Sequence, residues 1–198
     1  MKGLSAGINM NKKESIRNHA IKVIAREGFY RAKVKDIAEE AGIAAGTVYL
    51  YFSSKEDILD YIFLVEHQRR ADFVNRLYIK NTPIDIVIES FIKFNYDCFR
   101  EEPETANVLY RELITVSSLK NQKSKSVMGE VYKSFYKILK QEKENGKIRE
   151  DIDIEVMSPL IINFLRNSSY NILAQYKSVD YEHMKENLKR LVLHGIMK

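Results

Sequence analysis

Apolar residues recur three and four positions apart along nearly the whole chain, which is the spacing of helix faces packed on a core. In KKESIRNHAIKVIAREGF the stripe is Ile16, Ala20, Val23 and Ile24, and Gly28 follows where a helix C-terminus favours a left-handed residue. KVKDIAEEAGI repeats the pattern over a shorter length through Val34, Ile37, Ala38 and Ala41, then stops at Gly42. SSKEDILDYIFLVEHQ opens a fourth helix, with Ser53 or Ser54 as N-cap and Glu56 or Asp57 in the first turn. Beyond it only amphipathic pattern remains. PIDIVIESFIKFNYDCFR, PETANVLYRELITVSS and QKSKSVMGEVYKSFYKILKQEKENGKI read as helices, the last stopped by Gly146, and DIDIEVMSPLIINFLRNSSYNILAQY and DYEHMKENLKRLVLHGIMK form a final pair. The expected fold is all-α, with about nine helices.

The run GTVYLYF, Gly46 to Phe52, breaks the pattern, because its β-branched and aromatic residues favour a strand by propensity. Turned at 100° per residue, however, it sorts into faces. Val48 and Phe52 point one way, Thr47, Leu50 and Tyr51 cluster opposite, and Tyr49 lies on the flank. As a helix, one face docks on Ile37, Ala41 and Ile43 and the other is left to meet something outside. Two short helices joined by a glycine-containing turn make a helix-turn-helix.

The charge distribution supports a polyanionic partner. In residues 1 to 35, Lys2, Lys12, Lys13, Arg17, Lys22, Arg26, Arg31, Lys33 and Lys35 face only Glu14 and Glu27, whereas the other 23 basic and 25 acidic residues nearly cancel. A basic end on a balanced chain is the electrostatic footprint of a nucleic-acid binder, with a merely solvated charged face as the competing explanation. The remaining composition narrows the class. With 45% hydrophobic and 30% charged residues, the 198-residue chain can bury a core. Three prolines and eight glycines interrupt it little. Cys98 is the single cysteine, which excludes an intrachain disulfide and a cysteine-built zinc site and suits a reducing cytoplasm. MKGLSAGINM lacks the apolar core of a signal peptide, and YIFLV and LIINFL are too short to span a bilayer. Met10 is an alternative to Met1 as the start, with a frayed tail before it.

GFYRAKVKDIAEEAGIAAGTVYLYFSSKEDIL, Gly28 to Leu59, resembles the signature of the TetR/AcrR family of bacterial transcriptional repressors. The resemblance is carried by Gly28-Phe29, Val34-Lys35-Asp36-Ile37-Ala38, Ala41-Gly42-Ile43, Gly46-Thr47-Val48-Tyr49, Tyr51-Phe52 and Lys55-Glu56. It implies a sequence-specific regulator, usually a repressor, with a DNA-binding domain over residues 1–54 and an effector-binding and dimerisation domain over 55–198. It also implies DNA-facing roles for Lys35, Thr47, Tyr49, Leu50, Tyr51 and Lys55, with Val48 and Phe52 in the core. Two departures stand out. Ala32 and Lys33 occupy positions where the family often has a helix-capping hydroxyl, and Ala44-Ala45 replaces a frequent Ser-Lys; Lys33 is the candidate substitute as a phosphate contact. Packing alone is the competing role for Tyr49 and Tyr51. An exposed Leu50 suits a thymine methyl or a sugar.

For the C-terminal part, the resemblance implies a homodimer through the last two helices, with Ile161, Phe164, Leu165, Leu188, Leu191 and Val192 as candidate contacts. An effector pocket is expected between the fifth, seventh and eighth of nine helices. Apolar walls and a few convergent polar groups make such a pocket, for which Phe91, Phe94, Asn95, Tyr110, Arg111, Phe135, Asn163, Phe164 and Asn167 are the candidates, the aromatics among them, with Phe99 and Tyr170, also serving the core. The DNA-binding stretch looks most like fatty-acid-degradation repressors of Gram-positive bacteria, which implies a small hydrophobic effector such as a long-chain acyl-CoA, and a palindromic duplex operator as partner. Neither cofactor nor metal is implied. His19, His67, His183 and His194 lack metal-ligand spacing, and no phosphate loop or nucleophile elbow is present, so no enzyme is expected. Two other classes compete: an architectural nucleic-acid-binding protein without ligand control, and a hydrolase with an unfamiliar motif.

Overall fold

The computed structural model describes residues 2–117, 123–175 and 180–198. Ten helices follow in order: α1 (Lys2–Glu27), α2 (Val34–Glu40), α3 (Ala45–Tyr49), α4 (Lys55–Ile79), α5 (Ile84–Glu101), α6 (Pro103–Arg111), α7 (Leu113–Ser117), α8 (Lys123–Glu144), α9 (Ile154–Gln175) and α10 (Tyr181–Ile196). Among the described residues there is no strand, only an isolated bridge between Ile148 and Met197. The helix count exceeds nine because the run from Pro103 breaks at Glu112, whose carboxylate accepts from the Phe29 amide at 3.1 Å and the Thr115 hydroxyl at 3.0 Å. The segment before Met10, expected to be frayed, is part of α1, while Met1 lies outside the described residues.

The chain divides into two units, Met1–Glu66 with Glu104–Lys125, and His67–Pro103 with Ser126–Lys198. This division departs from a boundary at residue 54. It falls inside α4, and α6 and α7 join the N-terminal unit, because Val108 and Val116 are buried in the same cluster as Ile24, Phe29 and Ile62.

The N-terminal unit has its own core of Ile16, Val23, Ile24, Ile37, Val48, Phe52, Ile58 and Phe63. Gly28 ends α1 with φ +82°, a conformation that costs a side-chain-bearing residue energy, and a Cβ there would lie 3.2 Å from the Arg111 guanidinium. That guanidinium donates to the Ala25 carbonyl at 3.1 Å. Together Arg111 and Glu112 fasten the α1–α2 turn from the far end of α6. Asp60, buried in α4, accepts from the amides of Lys123 and Ser124 and from the Ser124 hydroxyl, and so caps the start of α8. Tyr61 donates to Glu14 at 2.6 Å, and burial followed by that carboxylate pushes its hydroxyl up to about 12.

The C-terminal unit packs α5 against α9 and α10 around Val87, Ile88, Phe91, Phe135, Ile162 and Leu165. Glu89 of α5 takes both Lys185 and Lys189 of α10, at 3.3 and 3.0 Å, and is held below its ordinary pKa mainly by the Lys189 and then the Lys185 ammonium. All three side chains are part-buried, and the two pairs fix the register of α10 on α5.

Candidate nucleic-acid interface

α2 starts without a hydroxyl cap. Lys33 is the N-cap residue, and the Asp36 carboxylate accepts from its backbone amide at 3.1 Å, which is half of a capping box. Asp36 thereby satisfies the Lys33 amide, the half of the box that a hydroxyl at the cap does not serve, while Ala32 is buried. The Lys33 ammonium is left to solvent, and so is that of Lys35; neither has an ion pair among the described residues. α2 ends at Gly42, φ +64°, with the Ile43 amide donating back to the Ala38 carbonyl at 3.0 Å, so the chain reverses tightly before α3.

α3 is short, five residues, and its strand-like composition is overruled by packing. Val48 and Phe52 are each 1% exposed, and the Phe52 amide donates to the Val48 carbonyl at 3.0 Å. The Phe52 ring meets Tyr61 at 5.4 Å between centroids and lies 5.0 Å from the Lys13 ammonium. On the other side Tyr49 is 57% and Leu50 81% exposed. Thr47 is half-buried, and Tyr51 packs partly against the core. A leucine four-fifths exposed beside an exposed tyrosine and two solvent-facing ammonium groups offers apolar, hydroxyl and cationic chemistry together. That is the combination that meets base edges and phosphates.

Lys55 has a different role from the phosphate contact expected of it. Its Nζ donates to the carbonyls of Phe29 at 2.7 Å, Ala32 at 2.9 Å and Tyr30 at 3.3 Å, and it sits 4.5 Å over the Phe29 ring. The ammonium thus closes the α1–α2 turn onto the start of α4. Just before it, Ser54 caps α4 by accepting from the Asp57 amide at 3.1 Å, and Asp57 accepts from Ser53 in return. Replacing Lys55 by Ala is expected to cost about 2 kcal/mol, the order of hydrogen bonds to a charged group, with the salt dependence of DNA binding unchanged. Urea melts alongside salt titrations check this; a slope flattened with stability intact would return Lys55 to the phosphates.

The other expected residues fall in several places. Phe91 and Phe135 are core, while Phe94 and Phe164 are half-buried. Asn95 is buried and its amide donates to the Phe91 carbonyl of its own helix at 2.7 Å. Tyr110 is 39% exposed, not core, and Arg111 holds Ala25; both belong to the N-terminal unit, apart from the other pocket candidates. Asn163 and Asn167 come together on Arg166, a residue that pattern reading passed over. Of the candidate dimer contacts, Leu165 is fully buried and Ile161, Leu188 and Val192 nearly so, within their own core. What α9 and α10 offer outward is Leu160 and Leu191, each more than half exposed, on a groove lined also by Met157, Ile161, Phe164, Val192, Gly195 and Ile196. Among the described residues no three His, Cys, Asp or Glu side chains group as metal ligands, and no helix is long and apolar enough to cross a membrane.

The pattern that defines the bacterial regulatory proteins of the tetR family matches residues 16–62. Over 180 residues the chain is similar to the fatty acid metabolism regulator protein of Bacillus subtilis (strain 168), at 24% identity, with 89% of this chain and 91% of that one covered. The HTH-type transcriptional repressor NicS of Pseudomonas putida is 24% identical over 176 residues, which cover 85% and 81%. Among solved structures, the fatty acid degradation regulator FadR of Bacillus halodurans has a TM-score of 0.79 at 25% identity over 92% of this chain and 94% of that one. FadR of Bacillus subtilis, solved in complex with stearoyl-CoA, has a TM-score of 0.76 at 22% identity over 92% and 98%.

Proposed function

Because residues 16–62 are a tetR-family N-terminal domain, we propose that the chain is a ligand-responsive transcriptional repressor that reads a palindromic operator as a homodimer. The observation that carries this reading is the outward face of α3, where Tyr49 and Leu50 stand exposed over a locked Val48 and Phe52. A five-residue helix fixed this way presents side chains at defined positions, as direct readout in a major groove requires. Lys33 and Tyr51 supply phosphate contacts, while Lys35, Thr47, Tyr49 and Leu50 face the bases. The effector is a small hydrophobic molecule of the long-chain acyl-CoA class, a reading supported by likeness to a regulator solved with stearoyl-CoA. It acts by its differential affinity for two states of the dimer, which sets how far operator affinity shifts.

The test is a titration against an operator selected from random duplexes and a scrambled duplex, at two salt concentrations. Lys35→Ala and Tyr49→Phe are expected to cost on the order of 1 to 3 kcal/mol on the operator and little on the scrambled duplex. Lys33→Ala is expected to weaken both and to reduce the salt slope by about one. Stearoyl-CoA at saturation is expected to change operator affinity. Equal wild-type affinity for both duplexes would favour an architectural protein instead, and an unchanged operator affinity with the acyl-CoA demonstrably bound would end the ligand-switch reading.

A further inference from the structure

The α1–α2 turn carries cationic and aromatic groups that the core does not use. Gly28 to Lys35, GFYRAKVK, holds three basic residues and no acid. Arg31 is exposed but half anchored: its Nε donates to the Glu27 carbonyl at 2.9 Å, which leaves both Nη groups without an ion pair among the described residues. The carboxylates around it are engaged elsewhere. Glu27 and Glu40 pair with Arg26 at 3.2 and 3.5 Å, and Asp36 accepts from the Lys33 amide. Tyr30, just before it, is 80% exposed on a fixed backbone, since its carbonyl accepts from Lys55 Nζ at 3.3 Å and its ring meets the buried Phe29 ring edge-to-face at 5.8 Å.

The turn adjoins the reading helix. Lys55, whose ammonium holds the carbonyls of Phe29, Tyr30 and Ala32, follows Leu50 by five residues. Lys33, the solvent-facing N-cap residue of α2, follows Arg31 by two. Two residues span at most about 7 Å of backbone. Charges on one DNA strand recur roughly every 3.4 Å of helix axis, so cations this close together meet neighbouring phosphates of one strand. An exposed cation is stable in water and needs no partner. A guanidinium tied at Nε nevertheless differs from a free ammonium, because its Nη fork is already oriented to grip a phosphate in two places.

We propose that the α1–α2 turn is a second DNA contact, in which Arg31 grips the phosphate next to the one Lys33 meets and Tyr30 lies along the same sugar-phosphate strand. This rests on the DNA-binding reading above and adds to it a contact outside α2 and α3. Tyr30 offers its ring to the sugar and its hydroxyl to a phosphate oxygen.

The test compares the full-length wild type with Arg31→Gln, Arg31→Lys and Tyr30→Ala on the selected operator and the scrambled duplex, over a range of salt. A second series uses operators in which one phosphate at a time is replaced by a neutral methylphosphonate. Arg31→Gln is expected to weaken both duplexes by about tenfold and to lower the salt slope by about one per bound copy. Arg31→Lys should keep the slope and lose part of the affinity, since it has the charge but not the fork. Tyr30→Ala should weaken both duplexes several-fold with the slope unchanged. At one phosphate, beside the one that Lys33→Ala marks, the methylphosphonate should weaken wild-type binding and leave that of Arg31→Gln where it was. All variants should melt like the wild type. Wild-type affinity and slope in Arg31→Gln overturn the Arg31 contact, and wild-type affinity in Tyr30→Ala overturns that of Tyr30. Methylphosphonate losses equal in wild type and Arg31→Gln at every position overturn the proposal as well, as does a lowered melting temperature that accounts for the weaker binding. If the wild type binds neither duplex, the DNA-binding reading itself fails.

Discussion

Phe52→Ala is expected to lower the stability of the N-terminal unit by about 3 to 5 kcal/mol, the range for deleting a buried aromatic ring. Phe52 is 1% exposed, packs on Tyr61 and shares its cluster with Val48, Ile37 and Ile58, so truncation leaves a cavity where α3 meets its support. The neighbouring core side chains come from α2, α3 and α4, and their caps and turn glycines resist collapse into the hole. Since single domains are stable by only about 5 to 15 kcal/mol, much of the unit's margin would go and DNA binding with it. Leu50→Ala, two residues away, is expected to melt like the wild type, because at 81% exposure it buries almost nothing. Its loss should appear only on the operator. Urea melts of both variants beside operator titrations decide the matter. Were Leu50→Ala to unfold the unit while Phe52→Ala folded and bound normally, the two faces of α3 would have been assigned the wrong way round.

That contrast was legible in the sequence because a helix imposes a period, and a period sorts residues without knowledge of any partner. Val48 and Phe52 lie four apart, and burying that pair against Ile37 outweighs the strand propensity of valine, tyrosine and phenylalanine in a segment of five residues. Periodicity says nothing about backbone carbonyls. The grip of Lys55 on Phe29, Tyr30 and Ala32 spans 23 to 26 residues and depends on how the α1–α2 turn points its oxygens, so a positive charge near a DNA-binding motif read as a phosphate contact. The bond from the Lys33 amide to the Asp36 carboxylate was hidden for a related reason: it too is a backbone contact that a pattern of apolar positions does not register.

In the C-terminal unit the limit is different. α9 is apolar on more than one side, so a stripe there does not say which side meets its own core. Leu165 turned inward, while Leu160, five residues earlier, turned outward. Arg166 was passed over because one charge in an apolar run looks like an exposed interruption. Its partners Asn163 and Asn167 lie on α9 itself, three residues before it and one after, and the Tyr132 hydroxyl of α8 donates to the same Asn163 oxygen.

Placing carboxylates at the centre of the outward face, Leu160→Glu with Leu191→Glu, is expected to turn the proposed dimer into a monomer and to remove operator-specific binding. Both side chains are more than half exposed in the single chain, so the doubly substituted protein should keep its melting temperature within a few degrees, in line with the small effect of surface substitutions on stability, about 0.5 kcal/mol. In a dimer that buries this groove, each glutamate would be desolvated without a partner, at a cost of several kcal/mol per charge. A two-fold axis doubles that cost, since every substitution occurs on both sides of the interface. The consequence for DNA is larger still. One recognition helix reaches only a few base pairs, and half-sites about 34 to 36 Å apart are read together only by two helices held at that spacing. Without the second, affinity should fall toward the non-specific level, a loss of roughly a thousandfold or more. Sedimentation at micromolar concentration gives the assembly state, and titration of operator and scrambled duplex gives the binding. A folded monomer that still bound the palindrome with wild-type affinity would sever operator recognition from this face of α9 and α10.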